Sequence, residues 1–183
     1  SAALDVQLES GIRAVSGRKP MLIDESDGDL NTFKEATRLG YLGVSTKNCK
    51  GLIKALANQG LAQHLRATTG KGYFLTGEDL MNLPVVPLQQ DLTHVAALGI
   101  LHVERNGHHY HPGLSQLPQS MQDATLQHHL GLYHVASDGW PTLNINDGRI
   151  PMDTINSSPF GTGFAIDTSD LTPAADWEPP IRP

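Results

Sequence analysis

Four short apolar runs in this chain each stop in side chains that can hold a proton or a cation. Met21-Leu22-Ile23 stops in Asp24-Glu25-Ser26, and the run from Tyr41 to Thr46 stops in Lys47. Tyr73-Phe74-Leu75 stops in Thr76-Gly77-Glu78-Asp79, and Ile100 to Val103 stops in Glu104-Arg105. Carboxylates suit a hard cation such as Mg²⁺, which prefers oxygen donors in an octahedral array. A lysine near a metal and other cations can have its pKa lowered enough to act as a base. A metal and a basic lysine together would remove a proton next to a carboxylate, the metal stabilising the enediolate that forms. Each group alone has a plainer reading. Asp-Glu-Ser after a strand can cap a helix, Lys47 can be a solvated lysine, and Thr-Gly-Glu-Asp can be a capping turn. Their recurrence at the ends of successive strands is what carries the argument.

Those strand ends need elements to position them. Leu4, Leu8, Ile12 and Val15 have helical spacing over residues 4–15. Asp29 can cap a second helix, with Leu30, Phe33, Ala36 and Leu39 as its inner face and Gly40 as its stop. From Cys49 to about Arg66, Leu52, Ile53, Leu56, Ala57 and Leu61 recur at helical intervals. Residues 84–98 run helically after an opening proline; Pro87 fits only the first turn, and Gly99 ends the run. The order β-α-β-α-β-α-β, with connections too long for hairpins, predicts parallel strands with crossover helices. In a parallel barrel the strand C-termini converge on one face, which carries the active site. A doubly wound sheet is the alternative with the same alternation. Further on, residues 120–130 predict one more helix, on which His128 and His129 are expected at the surface. Residues 141–167 predict a hairpin with an Asn-Asp-Gly turn and irregular extended chain. The Pro-rich, acidic tail from Thr172 reads as a surface wrap or frayed end.

Leu22-Ile23-Asp24-Glu25-Ser26, followed by Gly43-Val44-Ser45-Thr46-Lys47-Asn48-Cys49-Lys50-Gly51, resembles the fifth and sixth barrel strands of the enolase superfamily. The likeness is nearest to its muconate-lactonizing and mandelate-racemase-like members. Asn146-Asp147-Gly148-Arg149-Ile150-Pro151 and Pro159-Phe160-Gly161-Thr162-Gly163 are similar to the segment where those proteins return from the barrel toward their capping domain. The resemblance implies the C-terminal half of a (β/α)8 TIM-type barrel. Residues 1–130 would supply about four βα units, and 131–183 an extended segment and tail. It implies Asp24 as a Mg²⁺ ligand, Lys47 as the catalytic acid/base, and Glu25 as a group that steers nearby cations. Lys50, Glu78, Asp79, Arg105, His108 and His109 are the candidates to contact substrate or support those groups.

The implied activity is abstraction of a proton alpha to the carboxylate of a small substrate, as in a racemase, dehydratase or cycloisomerase. The family's two further metal ligands, a lysine on its second strand and its capping domain have no counterpart in these residues. The Mg²⁺ ligand set is therefore expected to be incomplete, with little activity from this chain alone. Association as a homo-oligomer, or with a missing N-terminal half, is expected to cover its open strands. The competing reading is a non-catalytic oligomeric α/β domain whose strand-end charges are structural.

Composition narrows the partners. A net charge of -6, with no basic stripe, argues against nucleic acid or an anionic membrane. Cys49 is the single cysteine, so no internal disulfide forms, which suits a reducing cytoplasm. No apolar run approaches the roughly 20 residues that span a bilayer. A cytoplasmic protein is the expectation. His108, His109 and His111 could contact substrate, bind zinc or form a plain polar loop; no Cys or Glu stands at a familiar zinc spacing. Cys49 lies beside Lys47 and Lys50, yet no Ser/His/Asp signature accompanies it. Gly70-Lys71-Gly72 and Gly161-Thr162-Gly163 lack the spacing of a phosphate loop and read as turns.

Overall fold

Parallel pairing of short strands organises the first part of the chain in the computed structural model, which describes residues 2–78, 83, 85–104 and 112–178. The chain divides into two compact units, one of residues 1–82 and 90–107 and the other of 83–89 and 108–183. In the first unit, helix α1 (Glu9–Ser16) leads to strand β1 (Leu22–Ile23), helix α2 (Thr32–Leu39) and strand β2 (Gly43–Thr46). Helix α3 (Leu52–Thr69), strand β3 (Phe74–Glu78), helix α4 (Val86–Ala97, of which residues 90–97 belong to this unit) and strand β4 (Val103–Glu104) follow. The sheet order is β1-β2-β3-β4 and every pair is parallel, so consecutive strands are neighbours throughout. A mixed α/β architecture with parallel strands alternating with helices is therefore present. Ile23, Val44 and Leu75 from the strands pack with Phe33, Leu98 and Ile100 into one core. Phe74 needs Gly43 beside it: a Cβ at Gly43 would stand 2.6 Å from the Phe74 ring.

The first predicted helix starts later than its apolar spacing indicates, because 3-10 turns occupy Ala2–Leu4 and Val6–Leu8. In α2, Phe33, Ala36 and Leu39 are buried as their spacing predicts, and Gly40 ends the helix at φ +111°. Leu30 does not join that face. It precedes the helix and is 59% exposed. Asp29 does not cap α2 either; its Oδ1 accepts the Asn31 N–H at 2.7 Å, one turn ahead of the helix.

The face of α3 is the larger correction. Leu52, Ile53 and Leu56, the residues that suggested an inner face, are 51%, 74% and 57% exposed. The buried side of α3 is Lys54, Ala55, Asn58 and Ala62. Two alanines let the helix approach β2 and β3 closely, and the lysine and asparagine between them meet buried polar partners described below. Strand β3 also runs further than its apolar residues indicate, so Glu78 is a strand residue paired with Glu104 and not part of a turn.

In the second unit, helix α5 (Gln119–His128) precedes an antiparallel pair, β5 (Tyr133–Val135) and β6 (Pro141–Leu143). The predicted Asn-Asp-Gly turn is present: Asp147 and Gly148 have φ +49° and +71°, and Asn146 and Arg149 exchange backbone hydrogen bonds. Positive φ at both central residues is what a two-residue turn matched to strand twist requires. His128 is exposed as expected, but His129 is fully buried. Its Nε2 lies 2.6 Å from the Thr162 carbonyl, which can only accept, so Nε2 carries the proton and Nδ1 accepts from Thr154 Oγ1 at 2.9 Å. Burial pushes this imidazole's pKa down, against the hydrogen bond to Thr162. Among the described residues no helix is long and apolar enough to cross a membrane.

Candidate functional site at the strand ends

Register sets the geometry of the charged rim. Ile23 of β1 pairs with Val44 of β2, and Thr46 of β2 pairs with Gly77 of β3. One residue further along, Lys47 and Glu78 face each other, and Asp24 leaves β1 at the same end of the sheet. The 3-10 turn Asn48–Lys50 then folds the chain back, with the Lys50 N–H bonded to the Lys47 carbonyl at 3.0 Å. Asp24 and Lys47 thus emerge side by side, as the sequence reading requires.

Three carboxylates surround one ammonium. Lys47 Nζ lies 2.5 Å from Glu25 Oε1, 3.0 Å from Glu78 Oε2 and 3.3 Å from Asp24 Oδ1. Lys50 Nζ lies 2.7 Å from Asp24 Oδ1 and 2.8 Å from the Asp24 carbonyl oxygen. The Ser45 hydroxyl reaches Glu78 Oε2 at 3.5 Å. The side chain of Lys47 is 5% exposed, whereas Glu25 is 77% exposed and Asp24 35%.

Burial alone would lower the Lys47 pKa. The hydrogen bonds to Glu25 and Glu78, with the charges of Asp24 and Glu78, outweigh it and hold the ammonium well above the ordinary lysine range. Burial likewise works to raise Asp24, but Lys50 and Lys47 prevail and its carboxyl is lowered. A lysine poised as a base needs neighbouring cations to dominate. Here carboxylates outnumber them, so Lys47 is a held proton.

The donor chemistry of the rim fits one ligand to a hard cation. Asp24 Oδ1 is taken by two lysines, while Oδ2 makes only a 3.5 Å contact with Lys47 and its carboxylate is open to solvent on one side. Among the described residues no group of three His, Cys, Asp or Glu side chains is placed to hold a metal. Asp24 could thus serve as a Mg²⁺ ligand without forming a complete site.

Of the sequence-derived candidates, Asp24, Glu25, Lys47, Lys50 and Glu78 converge. Asp79, Arg105, His108 and His109 lie outside the described residues, as does His111. Cys49 is exposed. Sequence reasoning passed over Asp27, Lys54 and Asn58, which form a buried group beside the rim. Lys54 Nζ pairs with Asp27 Oδ2 at 2.9 Å and also donates to the Asp27 carbonyl, and Asn58 Nδ2 donates to the same Oδ2 at 3.3 Å. The signal available was the close spacing of Lys50 and Lys54 in the chain against Asp24 and Asp27. A recess of about 290 Å³ lies at the opposite end of the strands, lined by Arg13, Ser16, Gly40, Leu42, Lys71 and Tyr73, away from the charged rim.

No family model, curated protein or solved structure matches this chain.

Proposed function

We propose that this chain is the C-terminal half of an enolase-like (β/α)8 barrel, in which the rim around Lys47 moves a proton alpha to the carboxylate of a small substrate. The observation that carries the reading is the convergence of Asp24, Glu25 and Glu78 on the buried Lys47 ammonium at the C-terminal ends of neighbouring parallel strands. Consecutive strand order, without the reversal of a doubly wound sheet, supports the barrel segment. Lys47 Nζ holds the proton. Glu25 is mostly in water, so it can turn aside and leave its place on the ammonium to a substrate carboxylate. Glu78 stays against Lys47 and keeps it charged, and Lys50 fixes Asp24 Oδ1 so that Oδ2 faces outward. As the ammonium, Lys47 can only donate: it gives its proton to the substrate's alpha carbon, and the neutral amine left behind can take one back from that carbon or from water. Mg²⁺ belongs to the reading through the resemblance, with Asp24 as its ligand here; when bound it would stabilise the negative charge that develops on the substrate.

Thermal unfolding with and without MgCl2 tests this. At about ten times a millimolar dissociation constant, linkage adds about 1.4 kcal/mol, a rise of a few degrees. The rise is expected in the native sequence and in Glu25→Gln, and is expected to vanish in Asp24→Asn. No rise in the native sequence would remove metal chemistry from the reading.

A second reading has its own support. Leu52, Ile53 and Leu56 form an exposed apolar stripe on α3, and Leu101 is 90% exposed. Stripes of this kind mark interaction surfaces, which suits a non-catalytic domain stable as a homo-oligomer with structural rim charges. Light scattering at micromolar concentration is expected to give a dimer or larger species, and a monodisperse monomer would end this reading.

A further inference from the structure

The loop that follows β1, residues 24–28, carries both Asp24 and Glu25 to Lys47. Its backbone is a tight turn, with the Asp27 N–H on the Asp24 carbonyl at 2.9 Å and the Gly28 N–H on the Ser26 carbonyl at 2.9 Å. Two lysines reach into it from outside, Lys50 at the end of the 3-10 turn and Lys54 in the first turn of α3. Lys50 donates to the Asp24 carbonyl and Lys54 to the Asp27 carbonyl. Lys54 also pairs with the Asp27 carboxylate, and Asn58 donates to the same oxygen. This second group is dry: the side chains of Lys54 and Asp27 are 9% and 2% exposed, and Asn58 is buried.

A buried ion pair of this kind is a poor way to gain stability, since a well-packed apolar pair of like volume often does as well or better. It is a good way to fix a backbone, because charge-assisted hydrogen bonds are short and directional. Methyl groups in place of Lys54 and Asp27 could fill the space but could not hold the Asp27 carbonyl. Asp27 caps no helix, because α2 begins at Thr32. Glu25 is 77% exposed and its carboxylate is bonded to Lys47, so its location depends on where the loop backbone stands.

We infer that Asp27, Lys54 and Asn58 are positioning residues for the strand-end site: they lock loop 24–28 onto α3 and thereby hold Asp24 and Glu25 over Lys47. The inference rests on the reading of Lys47 as the proton-carrying group. Without the lock, the loop beyond Asp24 loosens; Lys50 still ties Asp24, but Glu25 drifts and Lys47 loses its shortest contact. Its amine, on a side chain 5% exposed with the lock in place, then becomes accessible.

The test is acylation of Lys47 by a water-soluble N-hydroxysuccinimide acetate in the 183-residue chain, read by peptide mass spectrometry. Lys71, an exposed lysine remote from the rim, is the internal standard. The double variant Asp27→Leu/Lys54→Met removes the lock without leaving a lone buried charge. The Lys47 side chain is 5% exposed, so losing the cover of the loop is expected to make it label at least about ten times faster relative to Lys71. A folded double variant with an unchanged Lys47 to Lys71 ratio overturns the inference, since a merely structural pair predicts that result. If the double variant does not fold, Asn58→Ala removes one donor to Asp27 and is expected to raise the ratio about threefold; no rise there also overturns it. Labelling needs neither metal nor substrate. A missing Mg²⁺ response therefore leaves this inference standing, and unchanged labelling leaves the Mg²⁺ test open.

Discussion

Lys54→Met is expected to destabilise the first unit by about 5 kcal/mol, the upper end of the cost of removing one partner from a buried ion pair. The reason is what remains. Asp27 is 4% exposed, and its Oδ1 has no hydrogen-bond partner among the described residues. Its Oδ2 relies on Lys54 and on a 3.3 Å bond from Asn58. With Lys54 gone, a carboxylate stays in a dry site on one long neutral hydrogen bond. Replacing both partners removes the problem, so Asp27→Leu/Lys54→Met is expected to lie within about 1 kcal/mol of the native sequence. Urea unfolding followed by far-UV circular dichroism measures both. Tryptophan fluorescence would miss the effect, because Trp140 and Trp177 belong to the second unit. A single variant that loses less than about 1 kcal/mol would show the pair to be wetter than its burial indicates.

The same pair marks where a sequence stops being informative. Strand ends at Asp24, Lys47 and Glu78 were legible because an apolar run interrupted by charge is a local pattern, and parallel pairing then follows from the length of the connections. The burial of Lys54 is not local. A lysine in mid-helix reads as a solvent residue until a partner 27 positions earlier closes on it. On the same helix Ala55 and Ala62 are buried while Leu52, Ile53 and Leu56 are exposed. Gly77 misled in the opposite direction. Glycine after Thr76 suggested a turn, yet a Cβ there would meet Val95 Cγ1 at 2.9 Å, so the strand needs glycine to let α4 approach. Position along the chain located the rim's charges, but not their balance. Which sign prevails around Lys47 depends on how Glu25 and Glu78 fold over it.

That balance leads to the second large effect. Lys47→Met is expected to cost about 3 kcal/mol at neutral pH, toward the lower end for a buried pair, because Asp24 and Glu25 can turn into water. Glu78 cannot easily do so, with its side chain 12% exposed. The pH dependence separates this cause from a simple packing loss. The folded Lys47 pKa is raised, so its contribution is complete below the unfolded lysine value near 10.5 and is lost only as pH rises through the higher folded value. The folded Asp24 pKa is lowered, so its contribution is present above 3.8 and is lost as pH falls through its folded value. Acid therefore weakens the native rim. In Lys47→Met, Asp24 keeps only Lys50 as a cation, so less stability is lost there as acid neutralises it. In urea titrations the gap between the two proteins is expected to hold from about pH 7 down to 3.8 and to narrow below it, as pH falls through the folded Asp24 value, whereas a lost packing contact would leave it constant throughout. A constant gap would mean that the carboxylates do not hold the Lys47 proton, and the rim would then lack the property on which its proposed proton chemistry depends.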